Sequence, residues 1–154
     1  MYSASVIAAY LVNKGIECIS PISQMKLQKM VYFAQGVNLA TNDAPIIKQT
    51  IEAWKYGPVV PIIYSDYKLY GSLPINDVDL IYNFPKDEIK NIDPKSLESL
   101  NYTWQATSHL TAEELANWTH IVGSPWQRVY NPNANGVPIP NDLIKSYFVD
   151  FLGS

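Results

Sequence analysis

The sequence predicts a mainly α (α+β) fold, in which a compact helical bundle carries a small β-sheet or hairpin. Apolar residues recur at the three- and four-residue spacing of a helix over several segments. Serine, threonine and aspartate residues stand where these helices would begin. Residues 46–56 are richer in β-branched and aromatic residues, which favour strands. A length of 154 residues, 47% of them hydrophobic, suits a single packed domain over residues 1–154.

Two helices are predicted in the first third of the chain. Ser3 can cap a helix over residues 4–14. Ser23 can begin a longer helix to about Thr41, with a buried stripe of apolar residues along one face. Gly36 inside this second helix costs roughly 1 kcal/mol relative to alanine. We therefore expect the glycine to allow a close crossing with another helix.

A short strand is predicted within residues 46–56. In an extended chain, Trp54 and Tyr56 face the same side. Gly57 supplies backbone freedom and Pro58 fixes the direction of the exit, so the strand is expected to end in a strand-to-helix corner. Two interpretations of this corner stay open. Trp54 can fill it as a buried side chain, or the corner can be a recognition site, because Trp and Tyr are enriched at binding hot spots.

Four further helices are predicted after this corner. Their expected first residues or caps are, in chain order, Val59, Asp93 or Pro94, Thr111, and Asn141 or Asp142. Thr111 and Glu114 fit a capping box, in which each side chain accepts a hydrogen bond from the backbone of the other residue. The Gly-Ser-Pro sequence that begins at Gly123 is expected to end that helix. Residues 131–140, rich in Asn, Pro and Gly, are predicted to form a loop.

Charged residues are scarce, and their sum is slightly negative. Eleven lysine and arginine residues face fourteen aspartate and glutamate residues, and Arg128 is the one arginine. Proteins that bind nucleic acid normally carry a basic patch, often with arginines that contact phosphate and guanine. The composition therefore argues against a nucleic-acid partner. A transcriptional regulator would also need a helix-turn-helix face with clustered cations, which we do not find.

The sole cysteine and the apolar start of the chain bear on compartment and cofactors. Cys18 alone allows neither an intramolecular disulfide nor a cysteine-based zinc cluster, and it is expected to be an inert, partly buried thiol. The first residues lack the basic region of a signal peptide and are too few to span a bilayer. We therefore expect a cytoplasmic location and no membrane partner. No phosphate-binding glycine motif is present, and no cofactor or metal is expected.

His120 is the candidate for chemistry in this sequence. At the end of a helix, its side chain can bond the last carbonyl groups and interact favourably with the helix dipole. A second interpretation is direct contact with a partner. A third is a small hydrolase that uses His120 with a nearby carboxylate. The hydrolase predicts a concave pocket that joins His120 to an aspartate or glutamate whose pKa is shifted.

Three blocks of distinctive residues lie between residues 27 and 126. They are LQKMVYFAQ from Leu27 to Gln35, EAWKYGPVV from Glu52 to Val60, and Thr119 with His120 followed by Ser124, Pro125 and Trp126. Together and in this order, the blocks resemble the Panacea domain, the family of phage-associated GepA-like and SocA-like proteins. The resemblance brings no catalytic residues. The motif positions that it marks as toxin-binding or structural are Lys29, Tyr32, Trp54, Tyr56, Gly57, Pro58, His120, Pro125 and Trp126.

The resemblance implies an antitoxin of a toxin–antitoxin pair, without enzymatic activity, that neutralises its cognate protein toxin by direct protein–protein binding. A SocA-like member instead resembles a proteolytic adapter that delivers its toxin to a cytoplasmic protease of the host. Because motif positions can be scaffold, residues 72–100 and the tail after Tyr130 are equally open as toxin-binding segments. The identity of the toxin, the binding face and the oligomeric state stay open.

Overall fold

The second helix of the chain is the element around which the other elements pack. The computed structural model describes residues 1–153. Its helices and strands are, in chain order, α1 (Ala4–Glu17), α2 (Gln24–Asn42), β1 (Ile51–Trp54), β2 (Gly57–Val59), α3 (Pro61–Tyr67), α4 (Pro94–Thr107), α5 (Ala112–Thr119), α6 (Pro125–Val129), β3 (Val137–Ile139) and α7 (Asn141–Gly153). Turns of 3-10 helix lie at Lys68–Tyr70 and Glu88–Asn91. Helix α2 packs against α1, α3, α4, α5, α7 and strand β2, which confirms the predicted helical bundle with a small sheet.

Side chains at the helix starts bind free backbone N–H groups as the sequence predicts. Ser3, Ser23 and Asp93 each accept a hydrogen bond from the first turn of their helix, at 3.1–3.3 Å. Thr111 and Glu114 form the predicted capping box, with N···O distances of 2.9 and 3.0 Å. These caps set the first residues of α1, α2, α4 and α5.

The end of helix α1 differs from the prediction. The helix continues to Glu17 instead of ending at residue 14, and the backbone N–H of Cys18 closes its last turn by donating to the carbonyl oxygen of Lys14 at 3.0 Å. Cys18 is exposed, so the expectation of a partly buried thiol is wrong. Cys18 is exposed because it follows the last residue of α1 and so does not lie on the buried face of this helix.

The sheet contains a hairpin at the place where a strand-to-helix corner is expected from the sequence. Strand β1 lies between β2 and β3, and both pairings are antiparallel. Trp54 pairs with Gly57, so Lys55 and Tyr56 form a two-residue turn. The φ angle of Gly57 is +124°, a backbone conformation that residues other than glycine rarely adopt. The prediction that Gly57 and Pro58 end the strand is therefore wrong, because they begin strand β2.

Two short elements near the C-terminus were not predicted. Helix α5 ends at Thr119, and a separate helix α6 begins where the helix was expected to stop. Ser124 caps α6 by accepting a hydrogen bond from the first turn of this helix. Pro125 occupies the first position of α6, where a backbone N–H would have no partner within the helix, so proline is tolerated there. Within residues 131–140, predicted as a loop, Val137–Ile139 forms β3, an edge strand that tolerates the proline in its middle.

Helices α2 and α7 cross closely, as the glycine in α2 predicts. A Cβ atom at Gly36 would lie 2.2 Å from the ring of Phe148, which is fully buried. The Phe148 ring also packs against Phe33 and Trp118, at centroid distances of 5.4 and 5.8 Å. The absence of a side chain at this position thus lets α7 lie against α2. Within residues 1–153, no helix combines the length and the apolar composition that a membrane crossing requires.

Candidate functional site

The three motif blocks meet where the side chain of Lys29, from α2, passes under the hairpin. Its Nζ atom donates to the carbonyl oxygen of Pro58 at 3.3 Å. A Cβ atom at Gly57 would lie 2.7 Å from Cε of Lys29 and 3.1 Å from Oγ1 of Thr119 in α5. Gly57 therefore serves two purposes, because it adopts a positive φ angle and leaves room for two neighbouring side chains.

The third block holds the hairpin from the other side. Nε1 of Trp126 donates to the carbonyl oxygen of Trp54 at 2.6 Å. The Trp126 ring stacks on His120 with a centroid distance of 3.9 Å and an interplanar angle of 4°, and on Tyr130 at 4.5 Å. Oγ of Ser124 donates to the carbonyl oxygen at the end of α5, at 2.7 Å, which fixes α6 against α5. The stack and these bonds connect the C-terminal part of the chain to strand β1.

His120 follows α5 and interacts with the hairpin. Its imidazole forms a hydrogen bond with the backbone of Tyr56, and its Nε2 atom is buried without a partner. Burial lowers the pKa of His120, the nearby Lys29 cation lowers it further, and the bond to Tyr56 opposes both effects. Among residues 1–153, no carboxylate contributes to this shift, so the His–carboxylate pair expected for a hydrolase does not form at His120.

Lys29 is a lysine in an unusual environment. Only 2% of its surface is exposed, and burial lowers its pKa from 10.5 to about 8. No carboxylate in the described part of the chain forms an ion pair with it. The bond to Pro58 uses one of the three donors of the ammonium group. Lys29 is thus a buried cation without a counter-ion.

Tyr32 and Pro125 lie inside the protein. Tyr32 is 1% exposed, its ring contacts Trp118 and Phe148, and its hydroxyl has no hydrogen-bond partner. Burial raises the pKa of Tyr32 far above its usual range. Pro125 is buried at the start of α6. These two motif positions are parts of the scaffold.

Two glutamines of the first block have a role that was not predicted from the sequence. Gln28 binds the backbone of Val60 with both ends of its amide, at 2.9 and 3.3 Å. Oε1 of Gln35 accepts hydrogen bonds from the backbone N–H groups of Ile46 and Ile47 at 2.8 and 3.2 Å. Their spacing of seven residues on an otherwise apolar helix face was the available signal, because a buried amide needs hydrogen-bond partners.

A cleft opens beside this corner, between the start of α2, the hairpin turn and α3. Its volume is about 640 Å³. Of the predicted positions, Lys29, Trp54 and Tyr56 line it. Trp54 is half-buried and partly fills the corner, whereas Tyr56 is 62% exposed and accessible at the cleft. Tyr64 also lines the cleft, is 48% exposed and packs against Trp54 at 5.4 Å, and it was not selected from the sequence.

The cleft differs in charge from the protein as a whole. Lys29 and Lys55 line it, and no aspartate or glutamate does, although the net charge of the chain is -3. Gln24 also lines it, and its buried Oε1 has no hydrogen-bond partner. Elsewhere within residues 1–153, no three His, Cys, Asp or Glu side chains come together as a metal site would require.

Comparison with known proteins gives two matches. The model of the family described as "Antitoxin SocA-like, Panacea domain" matches residues 27–127, about two thirds of the chain. The protein named Antitoxin SocA from Caulobacter vibrioides (strain NA1000 / CB15N) is 28% identical over 159 aligned positions, which cover 94% of this chain and 81% of the relative. No solved structure matches the chain. The matched family segment includes all three motif blocks.

Proposed function

Because the chain belongs to the SocA-like Panacea family of antitoxins, we propose that it neutralises a cognate protein toxin by binding the toxin directly. The observation that carries the proposal is the cleft beside the motif corner, where aromatic side chains are accessible. Trp54, Tyr56 and Tyr64 line this cleft, and aromatic residues of this type dominate the energy of protein interfaces. The net charge of -3 and the single arginine of the whole chain suit a protein partner better than a polyanion.

Several motif residues hold together the elements that form the cleft. Lys29, Gly57 and Trp126 hold α2, the hairpin and α6 together, so the motif residues give the cleft a fixed shape. A preformed site loses little conformational entropy on binding, which favours affinity. The motif positions therefore act mainly through the geometry of the cleft, and the exposed side chains at its rim make the contacts.

Growth rescue tests the proposal directly. The toxin encoded beside this gene is co-expressed with the wild-type protein, and we expect growth to be restored and a stable complex to elute from size-exclusion chromatography. Tyr56→Ala and Tyr64→Ala should each weaken the complex by about 2 kcal/mol, the effect of losing an interface hot spot. Tyr102→Ala is the matched control, since Tyr102 is 46% exposed, close to the 48% of Tyr64, and lies outside both the cleft and residues 72–100. Failure of the wild-type protein to bind or to rescue refutes the proposal.

The half-life of the toxin separates direct neutralisation from the adapter role. Direct binding leaves the toxin at an unchanged level while growth recovers. An adapter instead shortens the toxin half-life, and only in a host that has the protease. Rescue that disappears when the protease gene is deleted would replace direct neutralisation with delivery to the protease.

A further inference from the structure

The cleft beside the motif corner has a chemistry that restricts its occupant. Its walls are formed largely by aromatic and apolar side chains, among them Met25, Trp54, Val59 and Tyr64. A volume of about 640 Å³ is in the ordinary range of ligand sites and accommodates two or three side chains of a peptide segment. The walls thus favour apolar side chains of the partner.

The charged groups of the cleft are both lysines. Lys29 lies in its wall, 2% exposed and without an ion pair, and Lys55 lies exposed in the hairpin turn at its rim. The Nζ atom of Lys55 lies 5.4 Å from the centre of the Tyr56 ring, within the distance of a cation–π contact. The charged lining residues are thus both cations in a protein of net charge -3, which favours an anionic group on the occupant.

Buried groups with unused hydrogen-bonding capacity reinforce this restriction. The ammonium group of Lys29 has three donors, and its bond to the Pro58 carbonyl uses one of them. Gln24, 9% exposed, lines the same cleft, and its Oε1 atom, an acceptor without a partner, can accept a hydrogen bond from a backbone N–H group of the bound segment. The cost of desolvating Lys29 is already present in the free protein. An incoming carboxylate therefore loses its own hydration, but no further water has to be removed from the lysine.

We propose that the cleft binds an acidic–apolar segment of the partner toxin, whose aspartate or glutamate interacts with Lys55 and Lys29 while an adjacent apolar side chain packs against Trp54 and Tyr64. This inference rests on the proposed function, because the segment belongs to the toxin. Lys55 attracts the carboxylate at the rim, where charge affects mainly the rate of association. Lys29 stabilises the bound state, where a buried charge affects mainly the rate of dissociation.

The first test uses the whole protein and the adjacent toxin in surface plasmon resonance at two salt concentrations. We expect Lys55→Gln to slow association about threefold at low salt and Lys29→Met to weaken affinity at least tenfold through faster dissociation. The matched control is Lys48→Gln, an exposed lysine outside both the cleft and residues 72–100, which should leave both rates unchanged. Toxin binding by the wild type with unaltered rates in both cleft variants refutes this inference and leaves the proposed function intact.

The second test does not depend on the toxin. Two capped peptides, acetyl-Leu-Glu-Phe-amide and acetyl-Leu-Gln-Phe-amide, are titrated into the ¹⁵N-labelled protein and followed by NMR. We expect the glutamate peptide to shift the amide signals of Met25, Tyr56 and Tyr64, and the glutamine peptide to bind at least tenfold more weakly. The preference should disappear in Lys29→Met. Equal binding of the two peptides, shifts elsewhere, or no shift at millimolar peptide would overturn the inference.

Discussion

Replacing Lys29 by methionine should stabilise the folded protein at neutral pH. Burial lowers the pKa of Lys29 from 10.5 to about 8, and each pKa unit corresponds to roughly 1.4 kcal/mol. The charged side chain therefore destabilises the folded state by about 3 kcal/mol at pH 7. Methionine keeps the unbranched shape and removes the charge, but it loses the bond to the Pro58 carbonyl, worth about 1 kcal/mol. The expected net gain is about 2 kcal/mol.

The gain should depend on pH in a defined direction. Between pH 8 and 10.5, the unfolded chain binds a proton at Lys29 that the folded protein has released, so wild-type stability rises with pH in this range. Below pH 8 both states are protonated and the full penalty is present. The difference in free energy of unfolding between Lys29→Met and wild type should therefore shrink by about 2 kcal/mol from pH 7 to pH 9.5.

Urea unfolding of both proteins, followed by circular dichroism at pH 7 and at pH 9.5, measures this difference. Tyrosine ionisation at the higher pH affects both proteins alike and cancels in the comparison. Lys55→Met is the matched control, because this exposed lysine has no burial penalty to relieve and should change the free energy of unfolding little at either pH. A less stable Lys29→Met at pH 7, or a difference that does not change with pH, would refute the reasoning.

Three further predictions concern packing, acid stability and the motif corner. Gly36→Ala should lower the free energy of unfolding by about 2 kcal/mol, although alanine has the better helix propensity, because the new methyl group would lie 2.2 Å from the Phe148 ring. An unchanged midpoint of urea unfolding would contradict this. The hydroxyl of Tyr2 donates to Asp93 at 2.5 Å, and this bond is the main cause that lowers the pKa of Asp93 to about 2. The contribution of the Asp93 carboxylate to stability is therefore present above pH 3.8 and is lost as the pH falls towards 2. Tyr2→Phe should raise the pKa of Asp93 in an NMR titration, and identical titration curves would exclude the bond as the cause. Trp126→Phe should cost about 1–2 kcal/mol in urea, because it leaves the carbonyl at the end of β1 without its donor, and a loss below the error of the measurement would show that this bond is replaceable.

Local signals in the sequence predicted most of the fold. Caps such as Ser23 and Asp93 act within one turn, so their residues alone fix where a helix begins. The small sheet or hairpin was predicted, but the turn after Trp54 was expected to be a corner, because glycine and proline after a strand suit a corner and a tight turn equally well. Pairing with Trp54 in a neighbouring strand decides between the two, and that pairing is a tertiary contact. Strand β3 likewise exists because β1 offers it a partner.

The candidate site was predictable in part, for a related reason. The motif blocks located Lys29, Trp54 and Tyr56 because each stands among distinctive neighbours in the chain. Tyr64 lies on a helix with no such neighbours, and Gln24 resembles any polar residue in a first turn. Their place in the cleft follows from how α2 and α3 pack, which no local pattern encodes.

The contact between α2 and α7 has a consequence for synthesis of the protein. Residue 36 and residue 148 are joined across more than a hundred residues, and the close crossing at Gly36 requires the last helix. During translation the part of α2 around Gly36 that α7 covers therefore stays exposed until α7 has been synthesised, even where α1 and α4 already cover other parts of α2. We expect nascent and truncated chains to be substrates for chaperones and proteases, and completion of α7 to be the step that turns the chain into a protease-resistant protein.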